Sequence, residues 1–440
     1  MKMECIAWSD RIHGRLARRE RSLAVLGLGY AGLPLALRFA RGYRVTGYDI
    51  DARRIAKLRS AIDPAGLLPR EAFEGCDILF TDDESRLSEA SFYIVTVPTP
   101  VDEAHRPDIG ALLAATRSIA RHLSPGDCVV YESTVWPGCT EERCIPLLEA
   151  VSGLRAGRDF KVGYSPERIN PGDEEHTLAG TVKVVSGCDA EALDAIARVY
   201  AAAVEAGIFR ASAIRVAEAA KILENIQRDV NIALMNECSE LFARLGIDTT
   251  EVLRTAATKW NFGHYRPGLV GGHCIGVDPY YLLARAEEAG VKLPVMRASR
   301  TINERTSGRI ARELTQALLA QGKHPSGSRV LLLGMTYKAD VADCRNTKSA
   351  DLFRALERAG FRIQAADPYA DAQEVCDTYG IELTEELQPP YDLVVVAVGH
   401  TPYRAFDEAW FRTLLTPDGI VADLGAIYHG KFRSLRYWSL

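Results

Sequence analysis

The segment LVGGHCIGVDP, residues 269–279, places a cysteine after two glycines and four residues before an aspartate. A nucleophilic thiolate needs such surroundings, because substrate and backbone must both come close to the sulfur. An inert cysteine packs as a small hydrophobe and does not require flanking glycines. The pattern therefore predicts that Cys274 is a nucleophile, that Gly271 and Gly272 clear its surroundings, and that Asp278 acts beside it.

A lysine and an asparagine lie four residues apart in EAAKILEN, residues 218–225. Residues four apart share one face of a helix. The apolar neighbours of Lys221 predict a buried environment, in which its ammonium and the Asn225 amide would donate jointly to a developing oxyanion. A solvated helix face is the alternative for a lysine considered alone.

Two further candidates follow apolar runs that read as strands of the N-terminal half. Thr134 lies in YESTVWPG and Glu167 lies in GYSPERINPG. Ligands bind at the carboxyl ends of parallel strands, so these two side chains are placed to meet a substrate. Either residue alone could instead serve only its loop or cap a helix.

Basic residues collect after the first strand of the C-terminal half, in GMTYKADVADCRNTKS. Lys338 and Arg345 in this loop suit a diphosphate or nucleotide, because cations there can bond phosphate oxygens directly. Arg266, in YRPGL just before the cysteine segment, is a third candidate cation. A surface charge pair is the alternative for the two loop residues.

A dinucleotide fingerprint opens the N-terminal half, in SLAVLGLGYAGLPLALRFA, residues 22–40. Gly27 permits a tight turn, Gly29 lets the backbone approach a pyrophosphate, and Gly32 lets the helix pack on the strand. Asp49 closes the following strand at the spacing expected for a ribose-binding acid. Its carboxylate would repel a 2′-phosphate, so the fingerprint predicts NAD as the cofactor.

The elements that position these residues alternate between short apolar strands and helices in both halves of the chain, which is typical of parallel, doubly wound sheets. Residues 211–245 contain no Gly or Pro and predict one or two long helices. We expect an α/β protein with two Rossmann-like domains joined by a central helical domain with a long helix. The expected divisions are an N-terminal extension (1–21), an NAD-binding domain (22–210), a central helical domain with the catalytic cysteine and a dimer interface (211–315), and a C-terminal Rossmann-like domain for a different ligand (316–440).

Composition limits the classes of function. The 440 residues carry a net charge of -5, which argues against general binding to nucleic acid or an anionic membrane. No apolar run approaches the ~20 residues that span a bilayer. The ten cysteines are scattered without a CxxC pair, so we expect neither a disulfide framework nor a zinc site, and a cytoplasmic location.

Taken together, these segments resemble the UDP-glucose/GDP-mannose dehydrogenase family over about residues 22–430. The chain is most similar to the UDP-N-acetylglucosamine and UDP-N-acetylgalactosamine 6-dehydrogenases of bacterial capsule and O-antigen synthesis. The motifs that carry the resemblance are GLGYAGLPLA, VPTPVDE, ESTVWPG, YSPER, EAAKILEN, GGHCIGVDP and YKADVADCRNTKS. The resemblance implies a four-electron oxidation of a primary alcohol to a carboxylate with two NAD, through a thiohemiacetal and a thioester on Cys274.

The resemblance also implies that the C-terminal domain (316–440) binds the UDP-sugar, and it implies residue roles. Lys221 and Asn225 match oxyanion-stabilising positions, Asp278 and Thr134 match positions that hold the attacking water, and Glu167 matches a carboxylate of acid–base work. The positions expected to bind NAD are Gly27, Gly29, Tyr30, Gly32, Asp49, Arg54, Thr99, Pro100 and Thr134. Those expected to bind the substrate are Glu167, Arg168, Lys221, Asn225, Arg266, Gly271, Lys338 and Arg345.

One position departs from the UDP-glucose dehydrogenases, which carry a second glutamate four residues after the one matched by Glu167. Pro171 stands there, as in the acetamido-sugar members, so a scheme with two carboxylates in this loop is weakened. UDP-N-acetylmannosamine and UDP-glucose are alternative substrates. Two rival functions stay open, a two-electron hydroxyacid or sugar-phosphate dehydrogenase, which needs no Cys274, and a non-catalytic NAD- or nucleotide-binding protein.

Overall fold

The computed structural model describes residues 8–168 and 178–440, so Pro171 lies outside the described residues. The chain forms two compact units. The first contains Met1–Glu224 and Tyr280–Val291, and the second contains Asn225–Pro279 and Lys292–Leu440.

The first unit is built on an eight-stranded sheet with the strand order β3-β2-β1-β4-β5-β6-β7-β8. Its strands are β1 (Ser22–Leu26), β2 (Val45–Tyr48), β3 (Ile78–Thr81), β4 (Ala90–Val95), β5 (Cys128–Tyr131), β6 (Lys161–Tyr164), β7 (Lys183–Gly187) and β8 (Ile208–Arg210). The β6–β7 pair is antiparallel and the other neighbouring pairs are parallel. The carboxyl ends of β1, β4, β5 and β6 therefore share one edge, which is where the candidate loops begin.

Among the described residues of this unit, six α-helices precede the long central helix. They are α1 (Trp8–Ala17), α2 (Gly32–Ala40), α3 (Ala52–Arg59), α4 (Gly110–His122), α5 (Ile145–Ser152) and α6 (Ala190–Ala201). Helix α1 falls within the segment that sequence analysis assigns to an extension. Its residues Trp8, Ile12 and Leu16 recur every four positions, so they share one face, and all three join the main hydrophobic core of this unit.

The central segment contains one continuous helix, α7 (Ile214–Leu245), of 32 residues. It confirms the long helix expected from residues 211–245, where no glycine or proline interrupts the backbone hydrogen bonds. Two shorter helices follow, α8 (Thr249–Ala256) and α9 (Asp278–Glu288).

The second unit contains a five-stranded sheet in the order β10-β9-β11-β12-β13, with parallel pairing throughout. Its strands are β9 (Arg329–Leu333), β10 (Arg362–Ala366), β11 (Tyr391–Val396), β12 (Leu415–Asp423) and β13 (Arg436–Ser439). The accompanying helices are α10 (Pro294–Leu319), α11 (Lys348–Arg358), α12 (Ala372–Tyr379) and α13 (Glu408–Leu414). Separate apolar clusters cover the two faces of this sheet, as a doubly wound fold requires.

The predicted fold is thus confirmed, with parallel α/β sheets in both halves of the chain and a helical centre. The exact domain boundaries stay a prediction. Over the described ranges, no helix combines the length and apolar composition that crossing a bilayer would need.

Candidate functional site

The turn between β1 and α2 has the geometry of a dinucleotide cradle. Gly27 has a φ of +92°, a backbone angle that residues with a side chain rarely adopt. A Cβ on Gly32 would lie 1.9 Å from the Gly27 carbonyl oxygen and 2.4 Å from the Thr96 hydroxyl, whereas a Cβ on Gly29 would meet nothing within 4 Å. No side chain caps α2 at Ala31. The open backbone at Gly29 and the uncapped helix start therefore fit a pyrophosphate.

The acid expected to bind ribose stabilises the same turn. Asp49 accepts hydrogen bonds from the backbone N–H of Leu28 at 2.8 Å and of Asp51 at 3.0 Å. Arg54 lies 3.5 Å from the Asp49 carboxylate and donates to the Leu28 carbonyl at 3.2 Å. Asp49 and Arg54 thus lie together beside the glycine turn, and Tyr30 lies half-buried within it.

The loops after β4 and β5 are joined by a hydrogen bond between two predicted residues. The Thr99 hydroxyl donates to the Thr134 carbonyl at 2.7 Å. The next residue, Pro100, accepts from the Tyr281 hydroxyl at 3.1 Å. Thr134 itself is half-buried, so its side chain sits at an accessible strand-end edge of the first unit.

The loop after β6 carries Glu167 and Arg168. Glu167 is 7% exposed and is therefore nearly desolvated. The Arg168 guanidinium pairs with Glu224 of α7 and donates to the Val182 carbonyl at 3.1 Å. Because these contacts occupy it, Arg168 ties this loop to the long helix.

Lys221 is 8% exposed, as predicted, but the burial of its neighbours, from which this was predicted, holds for Ile222 and not for Leu223, which is 60% exposed. One turn earlier on α7, the fully buried Glu218 accepts from the backbone N–H of Gly138 at 2.6 Å and of Thr140 at 3.0 Å. Burial raises the pKa of Glu218, although these hydrogen bonds oppose the rise. Glu218 therefore fastens the start of α7 to the segment after Thr134. In the sequence, the only indication of this role of Glu218 is that an acidic residue stands among apolar neighbours.

Three predicted residues meet in the second unit. The Asn225 amide donates to the Asp278 carboxylate at 2.5 Å, with both side chains buried. Asp278 begins α9, and its backbone N–H donates to the Cys274 carbonyl at 2.8 Å. The cysteine, the acid and the amide thus belong to one local structure. Cys274 itself is partly exposed.

The two glycines before Cys274 pack closely against other residues of the second unit. A Cβ on Gly271 would lie 2.6 Å from the Asn346 carbonyl oxygen, and one on Gly272 would lie 2.7 Å from the Tyr337 ring. Gly272 also has a φ of +80°. These glycines let the cysteine loop pack on the loop after β9, a role additional to the clearing predicted from the sequence. Burial raises the pKa of Tyr337 to about 12, so its hydroxyl keeps its proton at neutral pH.

Two grooves of the second unit contain the predicted cations. Lys338 and Gly271 line one of about 640 Å³, and Arg266 lines another of about 690 Å³, both measured with their solvent-open space. Arg345 instead pairs with Asp343 at 2.5 Å. Burial alone would raise the pKa of Asp343, but this pairing outweighs burial and the pKa is lowered.

Known proteins place this arrangement in a family. Residues 21–204, 215–305 and 331–430 match the NAD-binding, central and UDP-binding domains of the UDP-glucose/GDP-mannose dehydrogenase family. Protein CapL of Staphylococcus aureus is 44% identical over 96% of this chain and 100% of its own length. The chain belongs to the UDP-glucose/GDP-mannose dehydrogenase family.

Further members of this family align over nearly the whole chain. A UDP-N-acetyl-D-glucosamine 6-dehydrogenase of Pseudomonas aeruginosa is 44% identical over 92% of this chain and 97% of that enzyme. The solved structure of a UDP-D-ManNAc dehydrogenase from Pyrococcus horikoshii has a TM-score of 0.86 at 31% identity, covering 95% of this chain and 98% of that one.

Membership of the dehydrogenase family establishes the coarse function. The chain is an NAD-dependent UDP-sugar dehydrogenase, which confirms the predictions of an oxidoreductase, of NAD as cofactor and of a UDP-sugar substrate. The open backbone at Gly29 and the tight packing at Gly32 agree with the NAD assignment.

Proposed function

We propose that this enzyme oxidises C6 of UDP-N-acetylglucosamine or UDP-N-acetylgalactosamine to the carboxylate, for the synthesis of a surface polysaccharide. The observation that carries the proposal is the buried Asn225–Asp278 hydrogen bond of 2.5 Å, formed directly beside the Cys274 backbone. An acid and an amide in the same local structure as a candidate nucleophile support the proposal of a covalent oxidation of an aldehyde. Similarity to UDP-N-acetyl-D-glucosamine 6-dehydrogenases favours the acetamido sugar.

The proposed chemistry runs in two oxidations and a hydrolysis. NAD, when bound, supplies the hydride acceptor for each oxidation. After the first oxidation makes a C6 aldehyde, the Cys274 sulfur adds to that carbon and forms a thiohemiacetal. Loss of the second hydride gives a thioester. Water then attacks the thioester carbonyl, the C–S bond breaks, and the products are the uronate and the regenerated thiol.

Each side chain has a proposed task in this sequence. Lys221 and Asn225 donate to the oxygen on C6 as negative charge develops there, which is the usual largest contribution to such catalysis. Asp278 takes a proton from the attacking water, and Thr134 orients that water. Glu167 moves the proton of the C6 hydroxyl, and its near-complete burial suits a group that must exchange a proton away from bulk solvent.

Recognition of the nucleotide is proposed for the second unit. Lys338 and Arg266 line its two grooves and are the cations that we assign to the diphosphate. Arg345, which is paired with Asp343, would reach phosphate only by exchanging that carboxylate for it. The homodimer or higher homo-oligomer and the cytoplasmic location predicted from the sequence remain part of the proposal.

The test counts NADH formed per sugar, with excess NAD and limiting UDP-N-acetylglucosamine, UDP-N-acetylgalactosamine, UDP-N-acetylmannosamine or UDP-glucose. Two NADH per sugar with a uronate product would support the mechanism, and the fastest sugar would identify the substrate. UDP-N-acetylmannosamine is the second candidate, because the similar archaeal structure is of a dehydrogenase of that sugar.

Cysteine variants separate the proposal from its rivals. Cys274→Ser should form no uronate, while Cys188→Ser, at an exposed cysteine, should match the wild type. Full uronate formation by Cys274→Ser would refute the covalent mechanism and favour a dehydrogenase without a cysteine nucleophile. Absence of NADH with every UDP-sugar would favour a non-catalytic binding protein.

A further inference from the structure

A buried asparagine of α7 holds the loop that precedes Cys274. Asn236 is 1% exposed, and its side-chain oxygen accepts from the Gly268 N–H at 2.8 Å. Its Nδ2 donates to the Gly268 carbonyl at 3.0 Å. The amide thus bonds both backbone groups of one residue, as a neighbouring strand would, and this fixes the position and orientation of the loop at that point.

Gly268 is part of the proposed nucleotide site. It lies two residues after Arg266 and three before Gly271, and it lines the same groove as Lys338. The intervening Pro267 lines both grooves. A displacement at Gly268 would therefore move the walls of both.

A second amide and a carboxylate hold Asn236 in turn. Asn303 is 1% exposed, and its side-chain oxygen accepts from the Asn236 Nδ2 at 2.9 Å. The Asn303 Nδ2 donates to the Asp229 carboxylate at 2.8 Å and to the Asp229 carbonyl at 3.0 Å. Because the acceptors around Asn303 leave its amide one orientation, the direction of the Asn236 amide is determined as well.

The chain of contacts continues through charged groups to a second lining residue of the groove. Arg300 pairs with Asp229 at 2.5 Å and also with Glu304. Glu304 accepts from Lys348 Nζ at 2.5 Å. Lys348 begins α11 and is also a lining residue of the groove. Polar contacts therefore connect two lining residues of the groove, Gly268 and Lys348.

We propose that Asn236 is a positioning residue for UDP-sugar binding. The contacts that run from Gly268 to Lys348 through Asn236, Asn303, Asp229, Arg300 and Glu304 hold these two lining residues of the groove in one relative position. The inference rests on the proposed assignment of the nucleotide to this groove. Stability alone does not account for the network, because apolar residues of similar volume commonly stabilise an interior as well as buried ion pairs do. Polar groups are favoured where one relative orientation must be specified.

The experiment measures the affinity of the full chain for uridine diphosphate by calorimetry without NAD. Asn236→Asp keeps the shape but turns an acceptor toward the Gly268 carbonyl, and it should weaken binding about ten-fold, equivalent to ~1.4 kcal/mol. Glu304→Gln acts from the partly exposed end of the network and should weaken binding several-fold. Asn231→Asp is the control, because Asn231 lies on the same helix and its side chain donates to the Gln227 carbonyl one turn earlier, away from the groove.

Kinetics separate positioning from a general loss of structure. Both network variants should raise KM for the UDP-sugar and leave the affinity for NAD unchanged. If Asn236→Asp does not fold, the uridine diphosphate affinity and the KM of Glu304→Gln decide the test. Uridine diphosphate binding within two-fold of wild type in the folded variants would overturn the inference alone. Absence of binding by the wild type would overturn it together with the proposed function, whereas weakened binding without turnover of any UDP-sugar would refute only the function.

Discussion

Replacing Asn225 by aspartate should convert a hydrogen bond into a pair of carboxylates. The Asn225 Nδ2 lies 2.5 Å from the Asp278 carboxylate, and both side chains are at least nine-tenths buried. Two carboxylate charges about 3 Å apart repel by roughly 5 kcal/mol at an effective dielectric constant of about 20. That repulsion raises the pKa of one carboxyl well above its ordinary value, so the pair shares one proton.

The sign of the pH dependence follows from that raised pKa. In the unfolded chain both carboxyls titrate near pH 4, so from pH 4 up to the raised pKa the folded variant holds one more proton than the unfolded chain. The stability of Asn225→Asp relative to wild type should therefore fall by about 1.4 kcal/mol per pH unit across this range. Below pH 4 this contribution is fully present, and it is lost as the pH rises through the raised pKa.

Urea unfolding of variant and wild type from pH 5 to pH 8 measures the difference, about 4 kcal/mol in total. The exchanged double variant, Asn225→Asp with Asp278→Asn, is the matched control, because it reverses the hydrogen bond and keeps a single charge. The stability of this double variant relative to wild type should not change with pH. Its activity should not recover, because the carboxylate has moved. A difference in stability between Asn225→Asp and wild type that is constant with pH would refute the contact.

Two further predictions concern the first unit. Gly32→Ala should destabilise it by about 3 kcal/mol, because the new Cβ would lie 1.9 Å from the Gly27 carbonyl oxygen. Gly29→Ala should leave the melting temperature unchanged but weaken NAD binding by at least about ten-fold. An unaltered NAD affinity would contradict the assignment of the pyrophosphate to this turn. Lys183→Met should lower the free energy of unfolding by about 3–5 kcal/mol, because it leaves the buried Glu132 carboxylate without its cation. That carboxylate lies 2.7 Å from the Lys183 ammonium, and burial raises the pKa of Glu132 to about 7. This loss should be smaller at pH 5 than at pH 8, where Glu132 is charged, and Arg18→Ala, in an exposed ion pair, is the control.

Local patterns predicted the parts of the molecule that local physics determines. The β1–turn–α2 unit and the long α7 follow from the glycine spacing and from an uninterrupted helical period, both legible within a few dozen residues. The Asn225–Asp278 contact joins residues 53 apart, and no periodicity encodes such a pairing. The neighbours of Gly271 and Gly272 are likewise more than sixty positions away. The close packing there could be found only once the second unit was assembled.

The length of α7 has a consequence for how this chain can vary. Lys221, Asn225, Asp229 and Asn236 all project from one continuous helix, so their directions are set by residue count alone. Removing or adding a single residue between two of them would rotate one by ~100° relative to the other and shift it by ~1.5 Å. Related chains should therefore differ in this helix by substitution, and insertions and deletions should be confined to the loops beyond Ile214 and Leu245.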